Sequence, residues 1–208
     1  NEKKIKTIFT KVGAQIKHEL NEISCLEINN IEAPRKSIRS SKSFKPELSD
    51  FEDIAAALSL FTTRAMEKCR KQHSLCQCVT IFIHTNPFKD TKQYSNAITV
   101  GLHEATNDTI AVIALARHLL KKIYIKGYEY KKAGIIITNL NDEQYLQQSL
   151  LESTKNQKQL NKVMDRINKR YGKDTCQVAT NLRYINKKTK LNHISKRYTT
   201  NWNELLNV

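Results

Sequence analysis

The side chains whose types and spacing predict chemistry in this sequence are hydroxyls and cations set at every second position. In the segment 36–44 (KSIRSSKSF), serine and arginine hold one phase of the alternation, and isoleucine and phenylalanine hold the opposite phase. Such alternation predicts a half-buried strand whose polar side chains share the exposed face. Hydroxyl and guanidinium groups donate hydrogen bonds to phosphate oxygens, so this face suits a polyanion. The polar positions are Ser37, Arg39, Ser41 and Ser43.

Three later segments alternate in the same way and add small or basic residues to the same predicted face. Apolar side chains repeat at every second residue in 79–83, 98–102 and 133–137. Phe82 is the large apolar residue in the outward phase, and we interpret it as a packed residue at the sheet edge. The outward polar, small and basic residues are Thr80, His84, Thr99, Gly101, Lys132 and Gly134, and the neighbouring cations Lys42 and Lys131 are added as candidate phosphate contacts.

Two segments between these strands follow helical spacing. Apolar residues recur at steps of three and four in 51–70 and again in 110–124. The order strand, helix, strand, strand, helix, strand predicts an α+β fold: a four-stranded antiparallel sheet with both helices on one face. A capping box from Ser49 to Glu52 predicts the start of the first helix. Asn107 or Asp108 is predicted to cap the second helix, and Gly127 to end it.

The segments that flank this unit are predicted to be mainly helical. Helices are predicted over 2–20 and 155–171, the second ended by Gly172 and followed by a short strand at 175–180. We therefore expect an N-terminal helix and a small α/β C-terminal extension. The polar stretch 86–96 is predicted to be a long hairpin loop and a candidate contact. The predicted domain boundaries are 1–32, 33–140, 141–157 and 158–208.

The overall composition favours a polyanionic partner. The chain of 208 residues has 35 Lys and Arg against 20 Asp and Glu, a formal net charge of +15, and a pI near 9.6. An excess of this size favours nucleic acid or an anionic membrane surface. No apolar run approaches the roughly 20 residues that a membrane span requires.

No motif predicts catalysis or a metal site within this chain. The five cysteines include a C-x-C pair at Cys76 and Cys78, but they lack the C-x-x-C spacing of zinc and redox sites. The six histidines are scattered. The acidic residues fall at predicted helix starts, in turns or on a solvated helix face, as Asp50, Asp108 and Asp165 do. We therefore expect reduced thiols, no catalytic residue and no cofactor in this segment.

Five segments of the chain, in the same order, resemble blocks of UmuC-type Y-family DNA polymerases. Together they extend across nearly the whole sequence, which makes the resemblance more specific than any one block would. The segments are Ile23–Phe44, Thr85–Ser95, Tyr128–Ile137, Leu160–Asn168 and Arg197–Leu205.

The resemblance implies that 1–32 is the end of a thumb domain, 33–140 a little-finger DNA-binding domain, and 158–208 the C-terminal extension. It implies that the open sheet face lies along template–primer duplex DNA, in a cytoplasmic protein of translesion synthesis, DNA repair and SOS mutagenesis. The parent protein would be a DNA-directed DNA polymerase whose Mg²⁺ ligands precede Asn1. A UmuD-like accessory protein and a recombinase filament are implied as further partners, and this segment alone is expected not to polymerise DNA.

The resemblance also implies a sliding-clamp-binding peptide in the linker 141–157. Gln147, Leu150 and Leu151 match the family peptide in type, in that an amide precedes two apolar side chains. Gln148 and Leu151 depart from the usual Leu and Phe. The alternative is an ordinary linker with embedded leucines. For the tail at 195–205 we expect either packing against the helix 158–171 or docking of a partner.

Two other functions remain open from the sequence. The single-strand RNA-recognition fold has the same strand and helix order, but it requires exposed aromatic rings on its central strands. The outward positions here are mostly serine, threonine, glycine and cations, which favours contact with a phosphate backbone over base stacking. The second alternative is a protein-interaction module that recruits repair factors without binding DNA.

Overall fold

The computed structural model describes residues 2–26, 33–145, 158–185 and 195–205. The chain divides into two compact units, Asn1–Pro34 and Arg35–Val208. The first unit contains helix α1 (Glu2–Leu20), which confirms the helix predicted over 2–20. Helix α1 is interrupted at Thr10, where the backbone has a φ of 61°.

The second unit is built on a four-stranded antiparallel sheet with the strand order β1-β4-β2-β3. The strands are β1 (Ile38–Leu48), β2 (Ser74–Thr85), β3 (Ser95–Thr106) and β4 (Tyr130–Asp142). Helices α2 (Phe51–Lys71) and α3 (Thr109–Ile123) connect them in the predicted order. The predicted α+β fold class is confirmed. Pro46 interrupts the alternation of β1, which is tolerated because β1 is an edge strand.

The hydrophobic core lies between the helices and one face of the sheet. Leu58, Phe61 and Met66 of α2 and Leu119 of α3 are at most 1% exposed. On the sheet side, Ile81 stands opposite both Ile98 and Ile135, so three strands contribute one apolar row to the core. Burial of this row fixes which face of each strand turns toward the helices, because a slip of one residue would expose it.

The helix termini differ from the predicted ones. Asp50, not Ser49, caps α2, and its carboxylate accepts a hydrogen bond from the Asp53 amide at 3.3 Å. The Ser49 carbonyl instead accepts the hydroxyl of Tyr124 at 2.7 Å. Asp108 caps α3, as one of the two predicted alternatives. The prediction for Gly127 is wrong, because α3 already ends at Ile123 and Gly127 lies in the following turn.

The described part of the C-terminal extension is helical. Helix α4 (Lys158–Tyr171) ends before Gly172, whose φ of 107° favours glycine, as predicted. The strand predicted at 175–180, and with it the β part of the extension, is wrong for the described residues. A single 3-10 turn, Ala179–Asn181, leads there into the short helix α5 (Leu182–Ile185). The side chains of this turn bond to α2 rather than to a sheet edge: Thr180 lies 2.6 Å from the Ser59 hydroxyl.

The extension packs on the helix side of the sheet. Arg70 of α2 makes a bidentate ion pair with Asp165 of α4 at 2.6 and 2.8 Å. Tyr184 of α5 is buried against the rings of Phe44 and Phe61, with ring centroids 6.0 and 5.9 Å apart. The described extension therefore covers α2 and leaves the opposite face of the sheet uncovered. No helix among the described residues is long and apolar enough to cross a membrane.

Candidate nucleic-acid interface

The sheet face that points away from α2 and α3 is organised as three rows of side chains across all four strands. The strand register aligns one outward residue from each strand in every row. The first row is Arg39, Ile136, Thr80 and Thr99; the second is Ser41, Gly134, Phe82 and Ala97; the third is Ser43, Lys132, His84 and Ser95. Alternation in the sequence predicted most of these positions, and we call this surface the open face.

In the middle row, the phenyl ring of Phe82 occupies the space above Gly134. A Cβ atom at Gly134 would lie 2.5 Å from Phe82 Cζ and 2.4 Å from Ser41 Cβ, so no larger residue fits there. Phe82 is only 9% exposed and lies on the central strand β2, so its interpretation as an edge residue is wrong. It is packed, but in the middle of the open face.

Arg39 combines exposure with a fixed position. Its guanidinium carbon lies 4.5 Å from the centroid of the Phe82 ring, a cation–π geometry that orients the flat group across the open face. Arg39 is exposed, and no described carboxylate forms an ion pair with it. A guanidinium held in this way keeps N–H donors for an external anion.

The third row places a cation and an imidazole side by side. Lys132 and His84 stand opposite each other in the register. The His84 ring is nearly parallel to the Phe82 ring, with centroids 6.3 Å apart, and its Nδ1 lies 3.0 Å from the Thr85 carbonyl oxygen. In the first row, the hydroxyls of Thr80 and Thr99 lie 2.8 Å apart and bond to each other. The first and third rows therefore combine hydroxyls with cations, and the middle row between them is mostly apolar.

Three predicted contact residues lie outside these rows. Ser37 is exposed just before β1 begins. Lys42 stands opposite the buried Ala133, so it shares the helix-side phase and is exposed at the edge of the sheet. Lys131 lies where the register of β4 shifts, and its Nζ is 3.8 Å from Oε1 of Glu47. A bulge of this kind breaks alternation, so sequence periodicity could not place Lys131.

A small ionic cluster anchors the loop between β2 and β3. Glu47 accepts hydrogen bonds from Lys89 and from Asn86, which lower the pKa of its carboxyl against the opposing effect of burial. The hydrogen bond to Glu47 in turn raises the pKa of the Lys89 ammonium. In the predicted contact loop, Lys89 is therefore already paired with a carboxylate, whereas the neighbouring Phe88 is 96% exposed.

Ile136 was missed by the sequence reasoning, although it belongs to the open face. It stands opposite Arg39 on one side and Thr80 on the other. The signal was present in the run of three isoleucines at 135–137, because a central strand with both faces partly covered shows continuous apolar residues.

The predicted clamp-binding residues Gln147, Leu150 and Leu151 lie outside the described residues. The tail at 195–205 forms a turn in which Glu204 bonds to Arg197 and Asn201. Trp202 in this turn is 87% exposed, so within the described residues it is not a core anchor. No cluster of three or more potential metal ligands occurs in the described part of the chain.

Comparison with known proteins identifies the family of the chain. The model of the impB/mucB/samB family C-terminal domain matches residues 35–150, and a second family, described as a domain of unknown function (DUF4113), matches residues 158–208. Protein UmuC of Salmonella typhimurium strain LT2 is 29% identical over 98% of this chain and 49% of its own length. Protein ImpB of Salmonella typhimurium is 29% identical over 97% of this chain, and protein MucB of Escherichia coli is 28% identical over 97%.

The chain spans about half the length of these curated relatives: 49% of UmuC and 48% of ImpB and MucB. One family model covers more than half of the chain, and the matches to the relatives extend across nearly all of it. The chain therefore belongs to the impB/mucB/samB family and corresponds to the C-terminal portion of a UmuC-type Y-family DNA polymerase.

Proposed function

We propose that this chain is the DNA-holding part of an error-prone translesion DNA polymerase, and that its open face contacts the backbone of the template–primer duplex. The observation that carries the proposal is the set of three rows on the open face. They present Arg39, Lys132, Ser43 and Thr99 on a surface that the described extension leaves uncovered. Cations and hydroxyls donate to phosphate oxygens without reading base sequence, as a polymerase requires.

The burial of the Phe82 ring favours backbone contact over base stacking on the open face. Phe82 is nearly buried, and Arg39 lies over its ring. A fold that stacks single-stranded bases needs exposed rings on its central strands. The single-strand RNA-recognition alternative therefore lacks an exposed phenyl ring on the open face, and the His84 imidazole is partly buried and nearly parallel to the Phe82 ring.

Nucleotidyl transfer is proposed for the whole protein and not for this chain. That chemistry uses Mg²⁺ ions held by clustered carboxylates. The described residues contain no group of three or more potential ligands, so they do not fit such a metal site.

Tethering to a sliding clamp through Gln147, Leu150 and Leu151 is a second part of the proposal. It rests on residue types alone: an amide that would bond to the rim of a groove and two apolar side chains that would fill it. The test is the affinity of the chain for the replication clamp. Alanine at the three positions should abolish binding, and unchanged affinity would reject the assignment. Binding of a UmuD-like accessory protein and a recombinase filament stays a prediction.

The duplex proposal is tested by the salt dependence of DNA binding. We expect the double variant Arg39→Gln/Lys132→Gln to weaken duplex binding and to reduce the slope of log K against log salt by about two. The matched control is Lys121→Gln/Lys122→Gln, which removes the same charge from the exposed end of α3. Equal slopes for the two variants would favour the alternative, a module that recruits repair factors without binding DNA.

A further inference from the structure

Helix α4 carries a line of cations along one exposed side. Lys162, Arg166 and Lys169 are spaced by four and three residues, which places them on the same side of the helix over about 10 Å of its axis. All three residues are exposed. We call these three residues the α4 stripe.

Three arginines of this region differ from the α4 stripe in their partners. Arg64, Arg70 and Arg183 each bond to a carboxylate, namely Asp174, Asp165 and Asp53. No ion pair with a described carboxylate occurs in the α4 stripe. Asp165 is the acidic residue of α4, and both of its oxygens are occupied by Arg70. The three arginines hold the extension on α2, whereas the α4 stripe has no such role among the described contacts.

The α4 stripe lowers the stability of the helix that carries it. Like charges at spacings of three and four residues repel each other by about 0.2–0.5 kcal/mol per pair. Alternation with glutamate would remove this cost, but only one acidic residue occurs in the helix. A surface that combines three exposed cations with local repulsion is complementary to an external polyanion.

We propose that the α4 stripe is a second, sequence-independent contact for a nucleic-acid phosphate backbone, separate from the open face. Helix α4 bonds to α2 through Asp165 and to the N-terminus of α3 through Asn161, whose amide lies 3.2 Å from Asp108. Both of those helices cover the other side of the sheet. A duplex on the open face therefore does not reach the α4 stripe, which would contact another segment of nucleic acid. This assigns a ligand to the region that matches a domain of unknown function.

A phosphate backbone fits the α4 stripe better than a membrane surface does. A membrane-bound amphipathic helix turns an apolar side toward the lipid with its cations on the flanks. In α4 the positions near Asn161, Asp165 and Asn168 are occupied by hydrogen bonds to the rest of the protein. At about 100° per residue, the α4 stripe lies roughly a quarter turn from these bonded positions, and the half-exposed Leu160 and Val163 lie beyond it. Two apolar side chains give little area for insertion into a bilayer, whereas three aligned cations can contact successive phosphates without insertion.

The test is a charge-neutralising triple variant, Lys162→Gln/Arg166→Gln/Lys169→Gln, of the full chain. Binding of a short duplex and of a single strand is measured against salt concentration, in the native background and in the Arg39→Gln/Lys132→Gln background. The matched control, Lys121→Gln/Lys122→Gln/Lys126→Gln, removes the same charge from another exposed surface. Circular dichroism checks that every variant is folded.

We expect the triple variant to weaken binding of at least one nucleic acid roughly tenfold or more and to reduce its salt slope by about two to three, in both backgrounds. The control should change neither slope. Triple-variant binding curves that match those of the control would overturn the inference. Binding to vesicles of anionic phospholipid is measured in parallel. If the triple variant loses vesicle binding but keeps its affinity for both nucleic acids, the α4 stripe is a membrane contact and the inference is wrong. If Arg39→Gln/Lys132→Gln leaves duplex binding unchanged while the triple variant weakens it, the proposed function is wrong and the inference about the α4 stripe is supported.

Discussion

At the scale of single residues, the open face depends on a glycine beneath an aromatic ring. Gly134 on the central strand β4 lets Phe82 lie flat, and the flat ring in turn supports the guanidinium of Arg39. The phosphate-binding donor that we propose is therefore positioned by two residues that contact no phosphate themselves.

Substitution of Gly134 by alanine should be destabilising because the new Cβ would overlap Phe82 and Ser41. We expect a loss of about 1–3 kcal/mol in the free energy of unfolding, measured with urea. Gly101→Ala on β3 is the matched control, because a Cβ there meets nothing within 4 Å. Alanine at that position should be neutral or stabilising by about 0.5 kcal/mol. Equal effects of the two substitutions would contradict the packing described for Phe82.

The five cysteines should differ sharply in reactivity. Burial raises the pKa of the Cys69 thiol to about 11 and that of Cys76 to about 12, whereas Cys25, Cys78 and Cys176 are partly exposed. At pH 8 a disulfide reagent should modify these three and spare Cys69 and Cys76 until the protein unfolds, as counted by mass spectrometry. Rapid modification of all five thiols in the native protein would show that this part of the core is open.

The same thiols predict a direction for stability against pH. Since folding raises the pKa of Cys69 from the ordinary value of 9.0 to about 11, its contribution is complete below pH 9 and is lost as pH rises toward 11. Urea unfolding measured below pH 9 and near pH 11 checks this loss of stability.

At the scale of elements, the C-terminal extension is held to α2 by specific ion pairs. Arg70 is 10% exposed at its side chain, bonds to both oxygens of Asp165, and also donates to the Asn107 carbonyl and the Thr109 hydroxyl at 2.9 and 2.7 Å. The extension thereby closes over α2, where Tyr184 completes the aromatic cluster with Phe44 and Phe61.

Substitution of Arg70 by methionine should therefore cost about 2–3 kcal/mol of unfolding free energy, because it leaves Asp165, Asn107 and Thr109 without a partnered donor. Arg117→Met is the matched control. Arg117 also forms a bidentate pair, with Glu52, but both side chains are more than 40% exposed. Its removal should cost less than about 1 kcal/mol. A small loss at Arg70, comparable to that at Arg117, would show that the extension is only loosely attached to α2.

Sequence periodicity predicted the elements well because their burial is one-sided. The order of the strands and helices, and most of the open face, follow from alternation in β1, β2 and β3. The failures have physical causes that are not local. Lys131 lies at a bulge, and the segment 175–180 bonds through side chains to α2. The helix cap differs by one residue because Ser49 and Asp50 are both capping residue types, and it is the Asp50 carboxylate that accepts the Asp53 amide.

At the scale of the whole molecule, the net charge of +15 is not evenly distributed. Paired arginines join the extension to α2, whereas Arg39 and Lys132 of the open face and the three cations of the α4 stripe form no ion pair with a described carboxylate. Composition predicted a polyanionic partner, but only the strand register and the ion pairs identify which cations remain available for it. We therefore expect the total positive charge to attract nucleic acid at long range, and the cations of the open face and the α4 stripe to contact its phosphates.

The most direct test of the central claim is a map of backbone amide NMR shifts during titration with duplex DNA. We expect the amides of Arg39, Thr80, Thr99 and Lys132 to shift together and saturate with one affinity, and the buried amides of α2 not to shift. If the open-face amides stay unchanged at a saturating concentration of duplex, the open face is not the DNA-binding surface and the proposed function is wrong.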